Sequence, residues 1–376
     1  MNEETNLTGQ EWNEQSRELT LVRKEKLPKG LTEIDITTMS GKIVVENCIG
    51  DEEPSYKVTV VVRGARSEDK ARAECGSVDD VFDIETDEKS FNLNEKDDGN
   101  SGYSDGNIVI TGSARSVVMI NGRVVSGGSN ESGVSIKKKV VLRIRPEQAS
   151  NFNLASSSGD IDVASVEGRG KVRSSSGSVE MSSVKGELSL TTSSGEASVD
   201  SIIGEADLNT SSGSLRVGWV AGELDIKTSS GSVAVESMKL KSRGVVRTSS
   251  GSISLGIGNE NIRVRATTNS GSFRAPSEFV VDKDTSGRSG ANIRGHIGDN
   301  AQSGAELEIN ASSGSISLRK SQLRDDEPQK PTDEQVQEKL KEGYTCPFCG
   351  VENVSFGNCS KCGGAVPSTA KFNRNN

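Results

Sequence analysis

The sequence is poor in aromatic residues and in long apolar runs. Aromatic residues make up 3% of the 376 residues, and hydrophobic residues make up 32%. This composition is low for an enzyme with a thick globular core, and it favours a thin core of Val, Leu, Ile and Ala. No run of eighteen apolar residues occurs, so the sequence predicts no transmembrane helix.

The sequence also lacks net positive charge and is poor in histidine. The formal net charge is −9, and the chain has one histidine, His296. An acidic chain without a basic field does not gather phosphate groups, which argues against nucleic acid as a partner. Residues 1–20 lack the basic and apolar segments of a secretory signal. We therefore expect a cytoplasmic protein, with a surface location as the alternative.

A short motif, Ser-Ser-Gly, returns at a fixed spacing through the middle of the chain. Its glycines lie eighteen residues apart from Gly159 to Gly231, and two further copies, twenty residues apart, end at Gly251 and Gly271. A late copy ends at Gly314, and we expect it to belong to the last unit. A fixed period of this size predicts stacked supersecondary units.

Between these glycines, apolar residues alternate with polar ones. The residues two after each glycine are Ile161, Val179, Ala197, Leu215, Val233, Ile253 and Phe273. The residues five before the next glycine are Val172, Leu190, Leu208, Ile226, Val246 and Ala266. A period of two predicts two short strands per unit, with a turn at each end. Stacked in register, the units form an all-β parallel β-helix, or β-solenoid, with coils of 18–20 residues. We expect glycine at the Ser-Ser-Gly corner because bulky side chains cannot turn there in every layer and because glycine tolerates a positive φ.

The segments around the repeat differ in composition and give the predicted domain boundaries. Residues 39–45 read Met-Ser-Gly-Lys-Ile-Val-Val, an early copy of the unit, so the solenoid begins well before its regular array. Charged and polar stretches predict loops, linkers and tails. The predicted organisation is a disordered tail over 1–17, the parallel β-helix over 18–320 with 64–107 largely an inserted loop, a charged linker with a short helix over 321–343, a zinc ribbon over 344–367 and a disordered tail over 368–376.

Four cysteines near the C-terminus give the strongest chemical signal. They form two Cys-x-x-Cys pairs, Cys346 with Cys349 and Cys359 with Cys362. Two such pairs place four thiolates around one Zn²⁺ and leave no open coordination position. A segment this short has little core, so the metal supplies its folding free energy. We predict one structural zinc ion; a redox-active or disulfide pair is the alternative.

Carboxylates recur at outward positions in the middle of the repeat. Stacking predicts that they lie about 5 Å apart in successive layers. Such a row could share a weakly bound cation or form a contact face, and a solvated charged surface is the simpler interpretation. The residues are Glu187, Glu205, Asp207, Glu223 and Asp225.

The remaining chemically active residues do not form a catalytic pattern. The serine rows have no neighbouring base, which argues against nucleophilic catalysis. His296 lies in an irregular, glycine-rich segment and is interpreted as a surface residue, and Trp219 is interpreted as a packing residue. Cys48 and Cys75 are interpreted as unpaired thiols. The sequence therefore predicts no enzyme.

The repeat Ser-Ser-Gly-x-Ile/Val-x-Val resembles the bacterial Ser/Gly-rich β-solenoid family named "putative adhesin", whose function is unknown. The resemblance covers roughly residues 31–320, with Ser-Gly-Lys-Ile-Val-Val at its start and Ser-Gly-Ser-Ile-Ser-Leu at its end. It implies a solenoid fold and, through the family name, adhesion; it implies no shared catalytic motif. Residues 344–367 resemble a zinc ribbon.

Three hypotheses about function follow. The first is a non-enzymatic scaffold that contacts another protein through the zinc ribbon or a face of the solenoid. The second is a cell-surface adhesin, which needs an export route. The third is a carbohydrate-active β-helix enzyme, which would need clustered acidic and basic side chains; Glu205 and Asp207 would be its candidates. The uniform repeat and the lack of a catalytic pattern favour the first.

Overall fold

The computed structural model describes residues 6–96, 119–120, 123–124, 134–148, 150–259, 261–299 and 304–321, together with four two-residue strands between 344 and 366. The chain divides into two compact units, Met1–Leu323 and Arg324–Asn376. Each unit is considered by itself below. The predicted linker over 321–343, apart from Ser321, and the predicted tail over 368–376 lie outside the described residues.

The first unit consists almost entirely of strands. Within the described residues of this unit, the one α-helix is α1 (Glu68–Glu74), and two short 3-10 turns span Val78–Asp80 and Pro146–Gln148. The strands up to the regular array are β1 (Asn6–Asn13), β2 (Glu18–Lys26), β3 (Glu33–Thr38), β4 (Lys42–Asn47), β5 (Ser55–Arg63), β6 (Phe82–Thr86), β7 (Ser90–Glu95), β8 (Met119–Ile120), β9 (Arg123–Val124), β10 (Ser135–Ile144) and β11 (Asn151–Ser156). The array and its C-terminal end contain β12 (Ile161–Ser174), β13 (Val179–Thr192), β14 (Ala197–Thr210), β15 (Leu215–Thr228), β16 (Val233–Thr248), β17 (Ile253–Ile257), β18 (Ile262–Thr268), β19 (Phe273–Arg274), β20 (Val280–Asp284), β21 (Ala291–Ile297), β22 (Ala305–Ala311) and β23 (Ile316–Lys320).

Twenty-one of these strands form one hydrogen-bonded sheet, which the corners divide into two parts. We call the strands that follow each Ser-Ser-Gly corner sheet 1, and those that precede it sheet 2. The long strands β12 to β16 contribute their first half to sheet 1 and their second half to sheet 2. Sheet 1 runs β1–β2–β5–β10–β4, then β12 to β16, then β17–β23–β19. Sheet 2 runs β6–β7–β3–β11, then β12 to β16, then β22–β18–β21–β20.

The middle of the solenoid is parallel, as the repeat predicts, and each end includes antiparallel pairs. From β12 to β15 the register holds without a shift, with Ile161 opposite Val179 and Val172 opposite Leu190. The predicted inward columns are buried, and Ile161, Val179, Ala197 and Leu215 are all 0% exposed. The antiparallel pairs are β1–β2, β2–β5, β5–β10 and β6–β7 at one end and β18–β21 and β20–β21 at the other.

The Ser-Ser-Gly corner requires glycine because the layers approach closely, not because of a positive φ. A Cβ at Gly195 would lie 2.0 Å from the carbonyl oxygen of Gly177, and a Cβ at Gly213 would lie 1.9 Å from that of Gly195. The expected positive φ is therefore wrong for this corner. It occurs at the second corner, where Gly186 and Gly204 have φ of 128° and 134°.

A column of buried hydroxyl groups holds each Ser-Ser-Gly corner. The residue three before each glycine is Ser or Thr in nearly every layer, and in the layers up to Gly251 its side chain bonds to that glycine. The Thr192 hydroxyl donates to the Gly195 carbonyl at 2.9 Å, and the Thr248 hydroxyl accepts from the Gly251 N–H at 2.9 Å. These bonds satisfy backbone groups that the tight turn leaves unpaired. The buried residues of the column are Thr38, Ser156, Ser174, Thr192, Thr210, Thr228, Thr248 and Thr268.

The layers at the C-terminal end do not follow the order of the sequence. β22 lies between β16 and β18, and β23 lies between β17 and β19. A Cβ at Gly314 would meet the carbonyl oxygen of Gly251, and one at Gly271 would meet that of Gly314. The prediction that residues 305–320 form the last coil is therefore wrong. The reason is that both coils carry the same corner motif, so sequence spacing alone cannot decide which one lies against Gly251.

Two predicted irregular segments contain regular structure. The expected loop over 64–107 contains α1, β6 and β7, and Phe82, Phe91 and Leu93 are at most 1% exposed. The charged residues of this segment predict a loop, although three of its apolar side chains complete the core. The expected disordered tail over 1–17 contains β1, which pairs with β2 along eight residues. An edge strand gains backbone hydrogen bonds without needing many apolar residues. Residues 97–107 lie outside the described part.

The first corner of the ladder is closed by a side chain. In later layers, the serine N–H groups donate to carbonyls of the corner before, as Ser176 does to Ser157 at 2.9 Å. At the first corner, the Glu95 carboxylate accepts instead from the N–H of Met39 at 2.7 Å and of Ser40. The Glu95 side chain is 2% exposed and pairs with Lys138 at 2.5 Å. Glu95 therefore takes the place of a preceding coil.

The second unit contains two short hairpins. β24 (Tyr344–Thr345) pairs antiparallel with β25 (Glu352–Asn353), and β26 (Gly357–Asn358) pairs antiparallel with β27 (Ala365–Val366). Each pair therefore brackets one Cys-x-x-Cys segment of the sequence.

Candidate functional site

Sheet 2 carries the predicted acidic stripe on its outer surface. Glu187, Glu205 and Glu223 are register partners in successive strands, and Asp207 lies opposite Asp225. Asp225 is half-buried and the other four are exposed. The unshifted register places the carboxylates about 4.8 Å apart from layer to layer. The repeat thus brings together all five residues selected from the sequence.

Most carboxylates of the stripe already have partners. The Arg169 guanidinium donates to both oxygens of Glu187, at 2.6 and 3.1 Å, and this hydrogen bond lowers the pKa of Glu187. The described residues contain no group of three or more metal-ligating side chains placed to hold an ion. The stripe therefore supports a contact surface better than a cation site. The further partners are Asn209 for Asp207, Ser242 for Glu223 and Lys227 for Asp225.

A polar groove runs beside the stripe, along the Ser-Ser-Gly corner. Its volume is about 610 Å³. Buried threonines such as Thr210 and Thr228 line it together with the exposed serines of the corner. One wall is a column of outward side chains in which Lys227 and Arg247 are register partners. The lining contains hydroxyl, amide and cationic groups, so the groove can bind polar chains through hydrogen bonds.

The two cations of the groove are tied to carboxylates of sheet 2. The Lys227 ammonium lies 3.2 Å from Asp225, and the Arg247 guanidinium lies 3.5 Å from Glu308. The hydrogen bond from Asn310, together with Arg247 and Arg243, lowers the pKa of Glu308 despite its partial burial. The groove and the acidic stripe are therefore parts of one charged surface.

Of the other residues singled out from the sequence, Trp219, Cys48 and Cys75 lie outside this surface. His296, in contrast, lies in strand β21, farther along sheet 2, and not in an irregular segment. Trp219 is 8% exposed, in agreement with a packing role. His296 is 27% exposed, and its Nδ1 lies 2.9 Å from Asp282, so it is only partly at the surface. Cys48 and Cys75 are free thiols, and burial raises the pKa of both. A raised pKa disfavours the reactive thiolate.

The predicted zinc ligands lie outside the described residues. Cys346 and Cys349 fall in sequence between β24 and β25, and Cys359 and Cys362 fall between β26 and β27. Two Cys-x-x-Cys pairs at this spacing in the sequence are typical of a four-thiolate zinc site, which stays a prediction.

Sequence reasoning missed the groove and the hydroxyl column beneath it. The signal was present, because Ser or Thr precedes the Ser-Ser-Gly motif in nearly every repeat, as at Ser174, Thr192 and Thr210. Alternation alone assigns these positions to the core without giving a reason for their polarity. The hydrogen bond to the glycine supplies that reason.

The described helices include none that is both long enough and apolar enough to cross a membrane. The parallel middle, the buried columns and the glycine corners define the first unit as a β-solenoid. The Toastrack DUF4097 family matches residues 31–319. The chain belongs to this family, as the resemblance of the repeat to a β-solenoid family led us to expect.

Comparison with solved structures finds three bacterial proteins with long aligned regions. The first is titled a "putative lipid binding protein", from Parabacteroides distasonis; it has 14% identity and a TM-score of 0.39, covering 80% of this chain and 97% of that one. A "putative adhesin" from Bacteroides fragilis has 11% identity and a TM-score of 0.35, covering 80% and 97%. A "putative cell adhesion protein" from Clostridium sporogenes has 8% identity and a TM-score of 0.22, covering 80% and 98%. At these identities and TM-scores, none of them supports an inference about function. No curated protein matches the chain.

Proposed function

We propose that this protein is a non-enzymatic β-solenoid scaffold that contacts another protein through its zinc ribbon or through the outer surface of sheet 2. Its site of action is cytoplasmic, since a reduced four-thiolate site suits a reducing compartment. In this proposal the solenoid provides a rigid surface and does no chemistry.

One observation carries the proposal: the outward residues of sheet 2 form straight columns in constant register. From β12 to β15 no register shift occurs, so charged groups repeat at a fixed distance along the solenoid. The buried column beneath them, including Leu190, Leu208 and Ile226, is 0% exposed and fixes their positions. Rigid, exposed and regularly spaced charges favour recognition of an extended macromolecular surface.

The ribbon adds a second contact module to the proposal. Its four thiolates, from Cys346, Cys349, Cys359 and Cys362, would hold one Zn²⁺ and leave no open position. The bound metal would stabilise the fold of a segment that has little core of its own. The two hairpins would then present their loops to a partner.

The test compares partner capture by four forms of the full chain. Tagged wild-type protein is expressed in its own host beside Cys346→Ser/Cys349→Ser, Glu205→Ala/Asp207→Ala and the control Glu180→Ala, which changes an exposed residue of sheet 1. We expect a specific protein to be lost with the ribbon variant or the sheet 2 variant and retained with the control. Direct binding of the purified partner then confirms the contact.

Two results would contradict the proposal. One is that no captured protein depends on the ribbon or on sheet 2. The other is turnover of a polysaccharide that stops when Glu205 or Asp207 is replaced, because that result would establish a carbohydrate-active enzyme.

A further inference from the structure

The charge on sheet 2 changes sign along the solenoid. From β13 to β20, two outward columns carry the acidic stripe at one end and continue past the bulge that follows Gly222. The layer before this stretch, in β12, holds Arg169 and Lys171. In layer order, the first column is Glu187, Glu205, Glu223, Arg243, Glu306, Arg263 and His296. The second column is Ser189, Asp207, Asp225, Val245, Glu308, Arg265, Arg294 and Lys283. The early layers are acidic, and the last layers are basic.

At the basic end of these columns, beyond Glu308, cationic side chains lie directly opposite one another. Arg265 lies opposite Arg294, and Arg294 lies opposite Lys283, in three neighbouring strands. All three side chains are exposed. Within the part of the chain that the structure describes, no carboxylate lies within 4.0 Å of any of them. Like charges directly opposite in a sheet are destabilising. An external anionic surface would remove this repulsion.

The acidic stripe of a second copy matches this basic patch in spacing and in position. Consider a second copy related to the first by a two-fold axis that runs parallel to the strands, between the layer of Arg243 and the layer of Glu306. The order of layers in the second copy is then reversed, and each outward column faces the same column of the first copy. No pair of like charges results in either column. The facing pairs in the first column are Glu223 with Arg263, Arg243 with Glu306 and Glu205 with His296; those in the second are Asp225 with Arg265, Asp207 with Arg294 and Ser189 with Lys283.

The matched area suits a specific interface. Eight layers at about 4.8 Å and three outward columns give a patch of roughly 800 Å² on each copy, the standard size for a stable protein complex. The third column, along the groove, does not oppose the match. Lys227 would face Thr267, and Arg247 would face Asn310, so that column also contains no like-charged pair.

We propose that sheet 2 is a self-association surface on which two copies pack face to face and antiparallel, the acidic stripe of each against the basic patch of the other. This inference rests on the proposed role of sheet 2 as a contact surface, and it names the partner as a second copy of this chain. The interface is isologous, so each charged contact occurs twice.

The test is the molar mass of the purified full chain with zinc, measured by sedimentation velocity and light scattering. We expect a dimer at 50 mM salt whose dissociation constant rises at least ~10-fold at 500 mM salt, because salt screens exposed charges. Arg265→Glu/Arg294→Glu and Asp207→Arg/Asp225→Arg should each weaken the dimer by at least ~100-fold, since each places like charges together. Unchanged thermal unfolding of both variants shows that they remain folded.

Mixing the two variants gives the decisive measurement. Each variant repels copies of itself. In the mixture, the native acidic stripe of Arg265→Glu/Arg294→Glu faces the native basic patch of Asp207→Arg/Asp225→Arg. The substituted patch of the first variant, now acidic, faces the substituted stripe of the second, now basic. We expect the equimolar mixture to form a heterodimer and the four-substitution chain to recover the homodimer. The control Glu180→Arg/Glu236→Arg, on sheet 1, should dimerise like the wild type.

Three outcomes would overturn the inference: a monomeric wild type at 50 mM salt, a dimer that neither double variant weakens, or a mixture that fails to pair. A monomer would leave the basic patch to a different anionic partner. The proposed scaffold function is tested separately, because it depends on capture of another protein and not on the molar mass of the purified chain.

Discussion

At the scale of single residues, the corner glycines are fixed by contact between layers. Each one lies against the carbonyl of the equivalent glycine in the adjacent coil, at a distance that leaves no room for a Cβ. The partner atom belongs to the backbone, so it cannot move without displacing a whole coil. A substitution at one corner therefore affects two layers.

We expect Gly213→Ala to destabilise the solenoid by about 3 kcal/mol or more, because overpacking against backbone forces the coils apart. The new Cβ would lie 1.9 Å from the Gly195 oxygen. Urea unfolding monitored by circular dichroism measures the change. The matched control is Gly287→Ala, where a Cβ would meet nothing within 4 Å; it should change stability by less than about 0.5 kcal/mol. Equal stability of both variants would contradict the close-contact explanation.

The sequence predicted which residues form this corner but not why. Regular spacing shows where the chain turns, as at Gly195 and Gly213, and alternation shows which side chains face the core. Neither pattern contains the distance between layers, so a positive φ was the natural expectation. Alternation assigns Thr192 to the core but does not indicate that its hydroxyl donates to the carbonyl of Gly195, three residues later.

At the scale of strands, the main surprise is the position of β22 and β23. Their coil, Ala305–Lys320, lies between the coils that end at Gly251 and Gly271. Its corner has Ala311 where the other corners have Ser or Thr. The Gly314 carbonyl accepts from Thr268 of the neighbouring layer instead, at 2.9 Å. The equivalent threonines bond to a glycine of their own coil, so this exchange is specific to the inserted layer.

Cysteine pairs can test this order of layers. Ser249→Cys with Ser312→Cys places the two cysteines in adjacent layers. Their Cα atoms would lie about 4.8 Å apart, within the range that a disulfide spans. Ser249→Cys with Asn269→Cys places them two layers apart, beyond that range. We expect the first pair to cross-link under mild oxidation and the second to remain reduced, as measured by mass spectrometry of proteolytic peptides. Cross-linking of the second pair alone would show that the coils stack in sequence order.

The ends of the solenoid were less predictable than its middle. The parallel array follows from a repeat that every coil shares. The terminal strands, such as β1 and β20, have no repeat, and their pairing depends on whichever edge remains open. Glu95 is a clear case, since a single carboxylate takes the place of a missing coil at Met39 and Ser40. Nothing in its local sequence distinguishes it from a solvated glutamate.

At the scale of the whole molecule, the chain consists of two units that need not share their stability. The solenoid unit is Met1–Leu323, and the cysteine-rich unit is Arg324–Asn376. Among the described residues, the buried core of the solenoid runs from Leu19 to Leu318. Because the four clustered cysteines belong to the second unit, we predict that the proposed zinc ion contributes nothing to the stability of the solenoid.

We expect purified protein to contain one zinc ion per chain. A chelator should remove the ion and unfold the ribbon, because the metal supplies that segment's folding free energy. The thermal midpoint of the solenoid should stay unchanged, as should that of Cys346→Ser/Cys349→Ser. Elemental analysis and thermal circular dichroism measure both effects. Metal-free protein with intact thiols would disprove the zinc site, and a lower solenoid midpoint would disprove the independence of the units.

The inserted coil also restricts how the protein can be made. Residues 262–274 leave the ribosome before residues 304–320. In the finished protein, however, residues 304–320 lie between the regular array and residues 262–274. Growth by adding each newly synthesised coil to the previous one therefore stops after β17. The final layers close only when the later segment has emerged and reached its position between them. If the ribosome stalls in this interval, the nascent chain exposes the edges of β16 and β17. In the finished protein these edges are covered by β22 and β23.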